Sequence, residues 1–215
     1  MKLIDLSHAL HTNMPVYPGD EPPEVKANTT IEENGFRETK FNFYSHTGTH
    51  IDAPAHMLKN GLYLDDLKVS HFFGKATVLD FVGNNSPAIT LDILLPQKKK
   101  LEKVEFVIIK TGWSKFWGKK EYFNNYPYLS DEAAEWLTKF KLQGVGIDAI
   151  SMDKSDTNTF TVHKILLAKN IIIIENLTNL ESIKNNYFIL SVLPLKYHKA
   201  DGSPVRAVAI EIESK

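Results

Sequence analysis

One stretch, Ser45-His46-Thr47-Gly48-Thr49-His50-Ile51-Asp52-Ala53-Pro54-Ala55-His56, restricts the fold more than any other. The spacing of His46 and His50 would suit one face of a helix. Pro54 opposes a helix here, because its ring collides with the carbonyl four residues back, that of His50. Gly48 and the β-branched Thr47, Thr49 and Ile51 favour a strand running into a tight turn. Side chains alternate along a strand, so His50 and Asp52 point to the same side. Imidazole nitrogen and carboxylate oxygen are the donors that Zn²⁺, Mn²⁺ or Fe²⁺ accept from a protein. The stretch reads as a metal site, with His56 a further polar group just beyond it. A structural cluster is the plainer alternative, since short motifs often mislead. The small residues between the donors favour the metal: they allow close backbone approach, which a packed core does not need.

Composition narrows the possibilities. A chain of 215 residues suffices for one well-buried domain, taken as 1–215. The net charge of -1 gives no reason to expect nucleic acid or an acidic membrane surface as partner. No apolar run approaches the length of a bilayer span. The absence of cysteine excludes a disulfide framework and a thiolate metal site. Asp5 interrupts the first residues before any signal-peptide core forms, so the expected location is the cytoplasm.

Lys2 to Leu6 alternates as a short strand. His11 to Pro23, with Pro15, Pro18, Pro22 and Pro23, is a shaped but irregular loop. Tyr17 on that loop is either a structural plug or a substrate-facing wall. Glu24–Thr30 and Arg37–Tyr44 form a hairpin across Asn34-Gly35. Strands follow at Lys75–Val82 and at Val104–Thr111, which Gly112 closes. Thr90 caps a short helix ending before Pro96, and Lys98–Lys100 is a solvated charge run. The aromatic segment from Trp113 to Tyr128 is too irregular for a helix and suggests a lid or an interface. Ser130-Asp131-Glu132 opens a helix that Gly144 stops, before a strand at Val145–Ile150. Thr161 caps a helix through Ala168, and Ile171–Glu175 is a buried strand. Tyr187–Leu193 and Val205–Glu213 close the fold, with Gly202 and Pro204 in the turn between them. The order predicts a mixed α/β domain with three or four helices.

Glu175 ends a run of four isoleucines, and a carboxylate buried there needs a cation or donors. His163 lies in the first turn of the preceding helix. A strand-end Glu and a surface His are the bland readings. With the earlier stretch they raise the ligand supply enough for two adjacent ions. Asp148 and Asp153 are either groups that orient ligands or turn formers, with structure favoured.

The pattern His46-x-Gly48-Thr49-His50-x-Asp52-x-Pro54-x-His56 resembles the signature of the cyclase-family metal-dependent hydrolases, which include the bacterial kynurenine formamidases. Leu6-Ser7-His8, Pro15 to Asp20, Gly146-Ile147-Asp148, His163, Glu175-Asn176-Leu177 and Gly202 to Ala207 extend the likeness along nearly the whole chain. The resemblance implies a swivelling β/α/β domain, usually dimeric, with partner residues closing the pocket. It implies a binuclear site of Zn²⁺, with Mn²⁺ in some members. His46, His50 and Asp52 would hold the first ion; Asp52 and Glu175 would bridge to a second held by His163. His56 would accept and donate the proton, and Tyr17 would contact a small-molecule substrate. Tyr17 stands where kynurenine formamidases tend to have Trp, a departure that bears on the substrate. N-formylkynurenine is the first substrate implied. Another small amide, lactone or ester, as for isatin hydrolases, is a second reading, and a metal-holding binding protein without turnover a third.

Overall fold

The computed structural model describes residues 1–212. Nine strands form one mixed sheet, and their ranges in chain order fix how the site is built. They are β1 (Lys2–Asp5), β4 (His50–Asp52), β5 (Phe73–Asp80), β7 (Phe106–Lys110), β9 (Gly144–Ile147), β10 (Ile172–Glu175), β11 (Phe188–Ser191), β12 (Gly202–Pro204) and β13 (Val208–Glu211). The spatial order is β1-β13-β11-β5-β7-β9-β10-β4-β12. Strands β5, β7, β9 and β10 run parallel, and the flanking pairs are antiparallel. Parallel strands are covered on both faces and read as continuous apolar runs, as Phe106–Ile109 and Ile171–Ile174 do.

Alternation splits these runs between two cores. Val107, Ile109, Val145, Ile147 and Ile173 face the helices α5 (Asp131–Leu137) and α6 (Thr161–Leu167), while Phe106, Ile108, Ile172 and Ile174 face a second cluster. That second core joins Ile4 of β1 to Ile51 of β4, residues from opposite ends of the strand order. The sheet therefore curls around it, and backbone bonds such as Leu6 N–H to the Ala207 carbonyl and Thr178 N–H to the Leu6 carbonyl seal the curl.

The hairpin forms as expected from β2 (Glu24–Thr29) and β3 (Glu38–Asn42). Its link folds into a single turn, α1 (Ile31–Asn34), which Gly35 ends at φ 77. Ser130 caps α5 by accepting from Ala133 N–H. Further α-helical turns are α2 (Pro54–Met57), α3 (Leu91–Leu94) and α4 (Lys98–Leu101), beside short 3₁₀ turns such as Leu64–Asp66 and Trp113–Phe116, so among the described residues the helices are more numerous and shorter than the sequence predicts. Two two-residue strands, β6 (Ala88–Ile89) and β8 (Tyr128–Leu129), pair beside them. Among the described residues no helix is long and apolar enough to cross a membrane.

Several expectations need correction. Gly144 does not stop α5, which ends at Leu137; it opens β9. A Cβ there would lie 2.8 Å from the ring of Phe106 and 3.0 Å from Ile172, so only glycine fits. Gly144→Ala should destabilise the fold by about 1–3 kcal/mol through overpacking, measurable by thermal or denaturant unfolding. Thr161 is the first helical residue of α6, not its cap. Gly202 and Pro204 do not make a turn but form β12 against β4. Tyr122 and Tyr126 in the aromatic segment are buried in the first core, so this part of the segment is anchored rather than a free lid.

Candidate metal centre

Strand β4 carries His50 and Asp52 on an extended segment as expected, but it spans only His50–Asp52: Thr47, Gly48 and Thr49 lie in the bend before it, not in the strand. Its register sets His50 opposite Glu175 of β10 and opposite Pro204 of β12. Period-two alternation then puts His50, Asp52 and Glu175 on one face and sends Ile51 and Ile174 into the second core. Pro54 begins α2, where its fixed φ suits the first helical position, and that turn carries His56.

The two carboxylates sit among the imidazoles. His50 Nε2 is 3.3 Å from Asp52 Oδ1 and 3.5 Å from Glu175 Oε2. His163 Nε2, from α6, is 3.2 Å from Glu175 Oε1 and 3.4 Å from Asp52 Oδ2. His46 Nδ1 is 2.7 Å from Asp52 Oδ1. The His56 ring lies over His46, centroids 3.8 Å apart and planes tilted by 34°. All five candidate ligands and His56 are thus gathered in one place. Donor atoms of His50, Asp52 and Glu175 lie within 4.8 Å of one another, as do those of His46, Asp52 and His56, so Asp52 belongs to both groups.

Asp52 Oδ2 is buried and accepts no hydrogen bond. A carboxylate oxygen deprived of both water and a donor is costly, and a cation is the partner that removes the cost. The donor set, nitrogen and carboxylate oxygen without thiolate, fits Zn²⁺ or Mn²⁺.

Outer groups orient these side chains. Asp153 Oδ2 accepts from His163 Nδ1 at 2.5 Å and from His163 N–H at 3.0 Å, while its Oδ1 accepts from Val162 N–H at 3.0 Å. Asp153 thereby caps α6 in place of Thr161 and leaves His163 Nε2 facing the carboxylates, so it is an orienting group and not a turn former. Asp148 is structural: it accepts from Thr111 N–H and Oγ1 and from Gly112 N–H. Asp201 escaped the sequence reading. Its Oδ2 lies 3.2 Å from His46 Nε2 and accepts from Ser45 Oγ at 3.2 Å. A lone Asp before Gly202-Ser203-Pro204 carries only a turn signal.

Electrostatics divide the histidines. Burial opposes a charge on His46, but Asp52 and Asp201 outweigh it and raise its pKa to about 10. His163 is likewise raised, against its burial, by Asp153, Asp52 and Glu175. Asp52 is held well below the usual carboxylate range: burial works the other way, but His46, His163 and His50 prevail. Burial takes His56 the opposite way, down to about 4, with Asp52 only partly opposing. His56 is therefore neutral at physiological pH.

The donors open onto a cavity of about 390 Å³, whose other walls include Tyr17, Tyr44, Met57, Ile150 and Phe160. Tyr17 is 39% exposed, which rules out the buried plug and leaves it on the cavity wall. Gly202 faces the site from β12: a Cβ there would lie 2.4 Å from His46 Cε1. Gly202→Ala should push the His46 ring aside and weaken metal binding about 10–100-fold with the sheet intact, read by chelator competition beside circular dichroism.

The family model Cyclase ("Putative cyclase") matches residues 4–154. A kynurenine formamidase of Bacillus cytotoxicus is 32% identical over 206 residues, 95% of each chain. A solved structure described as a potential metal-dependent hydrolase with cyclase activity superposes with a TM-score of 0.82 at 27% identity, covering 99% of both chains. An isatin hydrolase bound to the product analogue thioisatinate shares the fold, with a TM-score of 0.89 at 24% identity over 99% of this chain and 93% of its own. A curled nine-stranded sheet, a donor set gathered on β4, β10 and α6, and these likenesses agree: the chain belongs to the cyclase family.

Proposed function

We propose that this cyclase-family hydrolase converts N-formylkynurenine and water to kynurenine and formate. Its centre would take two divalent ions per subunit, Zn²⁺ or Mn²⁺, one on His46, His50 and Asp52, the other on Asp52, Glu175 and His163. When bound, such ions supply Lewis acidity, polarising an amide carbonyl and lowering the pKa of water. The chain's own groups do the rest. His56, neutral and lying over His46, takes the proton from the attacking water and returns it to the departing amine. Tyr17 and Phe160 wall the cavity where an aromatic ring would lie. The observation that carries this reading is the unsatisfied Asp52 Oδ2, 3.4 Å from His163 Nε2, with a neutral His56 close by. The Bacillus kynurenine formamidase supplies the choice of substrate. A protein that only held metal would have no need of His56. The enzyme would act as a cytoplasmic homodimer, and light scattering at working concentration tests the dimer.

A second reading is a neutral cyclic amide, as in isatin hydrolases. It is favoured by the cavity lining, which among the described residues includes no Lys or Arg to meet a substrate carboxylate. Turnover of N-formylkynurenine beside isatin, in protein reconstituted with Zn²⁺ or Mn²⁺ and in a chelated control, separates the readings. Fast, chelator-sensitive release of formate supports the first. Opening of isatin alone transfers the assignment to the second, and inertness toward both by metal-replete protein rejects each.

A further inference from the structure

The aromatic segment has a role that neither the fold nor the reaction uses up. Tyr122, fully buried, donates from its hydroxyl to Asn176 Oδ1 at 2.7 Å. Asn176 follows Glu175, and its Nδ2 donates to the Gly48 carbonyl at 2.8 Å. The same carbonyl lies 2.8 Å from His50 Nδ1. A carbonyl oxygen only accepts. Both its neighbours must therefore be donors, which fixes the orientation of the Asn176 amide and puts the His50 proton on Nδ1. His50 Nε2 is left facing Asp52 and Glu175, the side on which a metal ion would be held. We propose that Tyr122 and Asn176 are positioning residues that hold the Gly48 carbonyl, and through it the tautomer and ring orientation of His50, for metal binding.

Three features support this relay. Asn176 adopts φ 56, a left-handed conformation that Asn tolerates and that turns its side chain back from the end of β10. Its own carbonyl accepts from Thr49 Oγ1 at 2.6 Å, tying Asn176 to the 48–50 backbone a second time. Gly48 sits at φ 69, and a Cβ there would come within 2.8 Å of Leu10, so the backbone at this carbonyl has little room to move. Tyr122 is steadied in turn by Trp113, whose Nε1–H donates to the Tyr122 carbonyl at 3.0 Å. The inference rests on the proposed metal centre but can fail separately from it.

The test compares Tyr122→Phe, Asn176→Gly, which removes the amide without straining φ, and Leu129→Ala, a buried core substitution outside the relay. Zn²⁺ affinity is measured by chelator competition, stability by thermal unfolding, and the His50 tautomer by ¹⁵N NMR of the metal-free protein. The expected result is a loss of affinity of about tenfold in Tyr122→Phe and up to about a hundredfold in Asn176→Gly, with none in Leu129→Ala. Wild-type His50 should carry a proton hydrogen-bonded on Nδ1, and Asn176→Gly should weaken or lose that preference. Unchanged affinity and tautomer in Tyr122→Phe, or the same loss of affinity in Leu129→Ala, would overturn the proposal. Tyr122→Phe preserves the packing, so the test stands even if Asn176→Gly fails to fold. If the wild type binds no Zn²⁺ at all, the proposed function fails, while the tautomer in metal-free protein still decides the relay.

Discussion

His56→Ala should retain its metal and lose about 10²–10⁴-fold in kcat, the usual contribution of a positioned acid–base group. His56 hangs from α2 over the His46 ring and is neutral at physiological pH because burial brings its pKa to about 4. A neutral imidazole can accept a proton from water and pass it on; an imidazolium could not begin the cycle. The nitrogen of His56 also lies near donor atoms of His46 and Asp52, so a ligand role must be distinguished from proton transfer. Metal analysis makes the distinction. A proton carrier leaves metal content unchanged, whereas a lost ligand lowers content and activity together. Full turnover in His56→Ala would remove it from the mechanism.

Asp52→Asn should be more damaging, with metal affinity falling by more than the roughly 100-fold typical of outer groups. Asp52 lies within 3.4 Å of His46, His50 and His163. An amide in its place offers one neutral oxygen and turns an NH₂ toward the nitrogens of the proposed centre. In metal-free protein the same carboxylate is the chief group raising the pKa of His46, and it joins Asp153 and Glu175 in raising that of His163. Binding a divalent ion must displace the protons these histidines hold, so apparent affinity depends on pH. The pKa of His46 is raised from 6.5 to about 10, so metal competes with a bound proton at every pH below about 10 and affinity should climb as pH rises toward it. Calorimetric titrations in buffers of different ionisation enthalpy measure the proton release. An Asp52→Asn variant that still bound metal as tightly as the wild type would refute Asp52 as a ligand.

Much of the site was legible in the chain because its donors lie close together in sequence. Pro54 and the β-branched residues excluded a helix, and alternation set His50 and Asp52 on one face, as β4 shows. Glu175 could be singled out because a carboxylate after four isoleucines is anomalous. The groups that orient the ligands were harder to find. Asp201 reaches His46 across 155 positions, and only the β12–β4 pairing brings them together. Asp153 gave a turn signal locally, and its bonds to the start of α6 depend on the loop between. In sequence Gly144 and Gly202 suggest a stop and a turn, the common roles of glycine, yet both are required by what would touch a Cβ. Such contacts are tertiary facts that propensity does not contain.

The decisive measurement is the titration of metal-free protein with Zn²⁺ while hydrolysis of N-formylkynurenine is followed. Turnover should be absent without metal, appear on addition and cease to rise at two equivalents per subunit. Undiminished hydrolysis in thoroughly chelated protein, or none at full occupancy, would contradict a metal-dependent formamidase centred on Asp52.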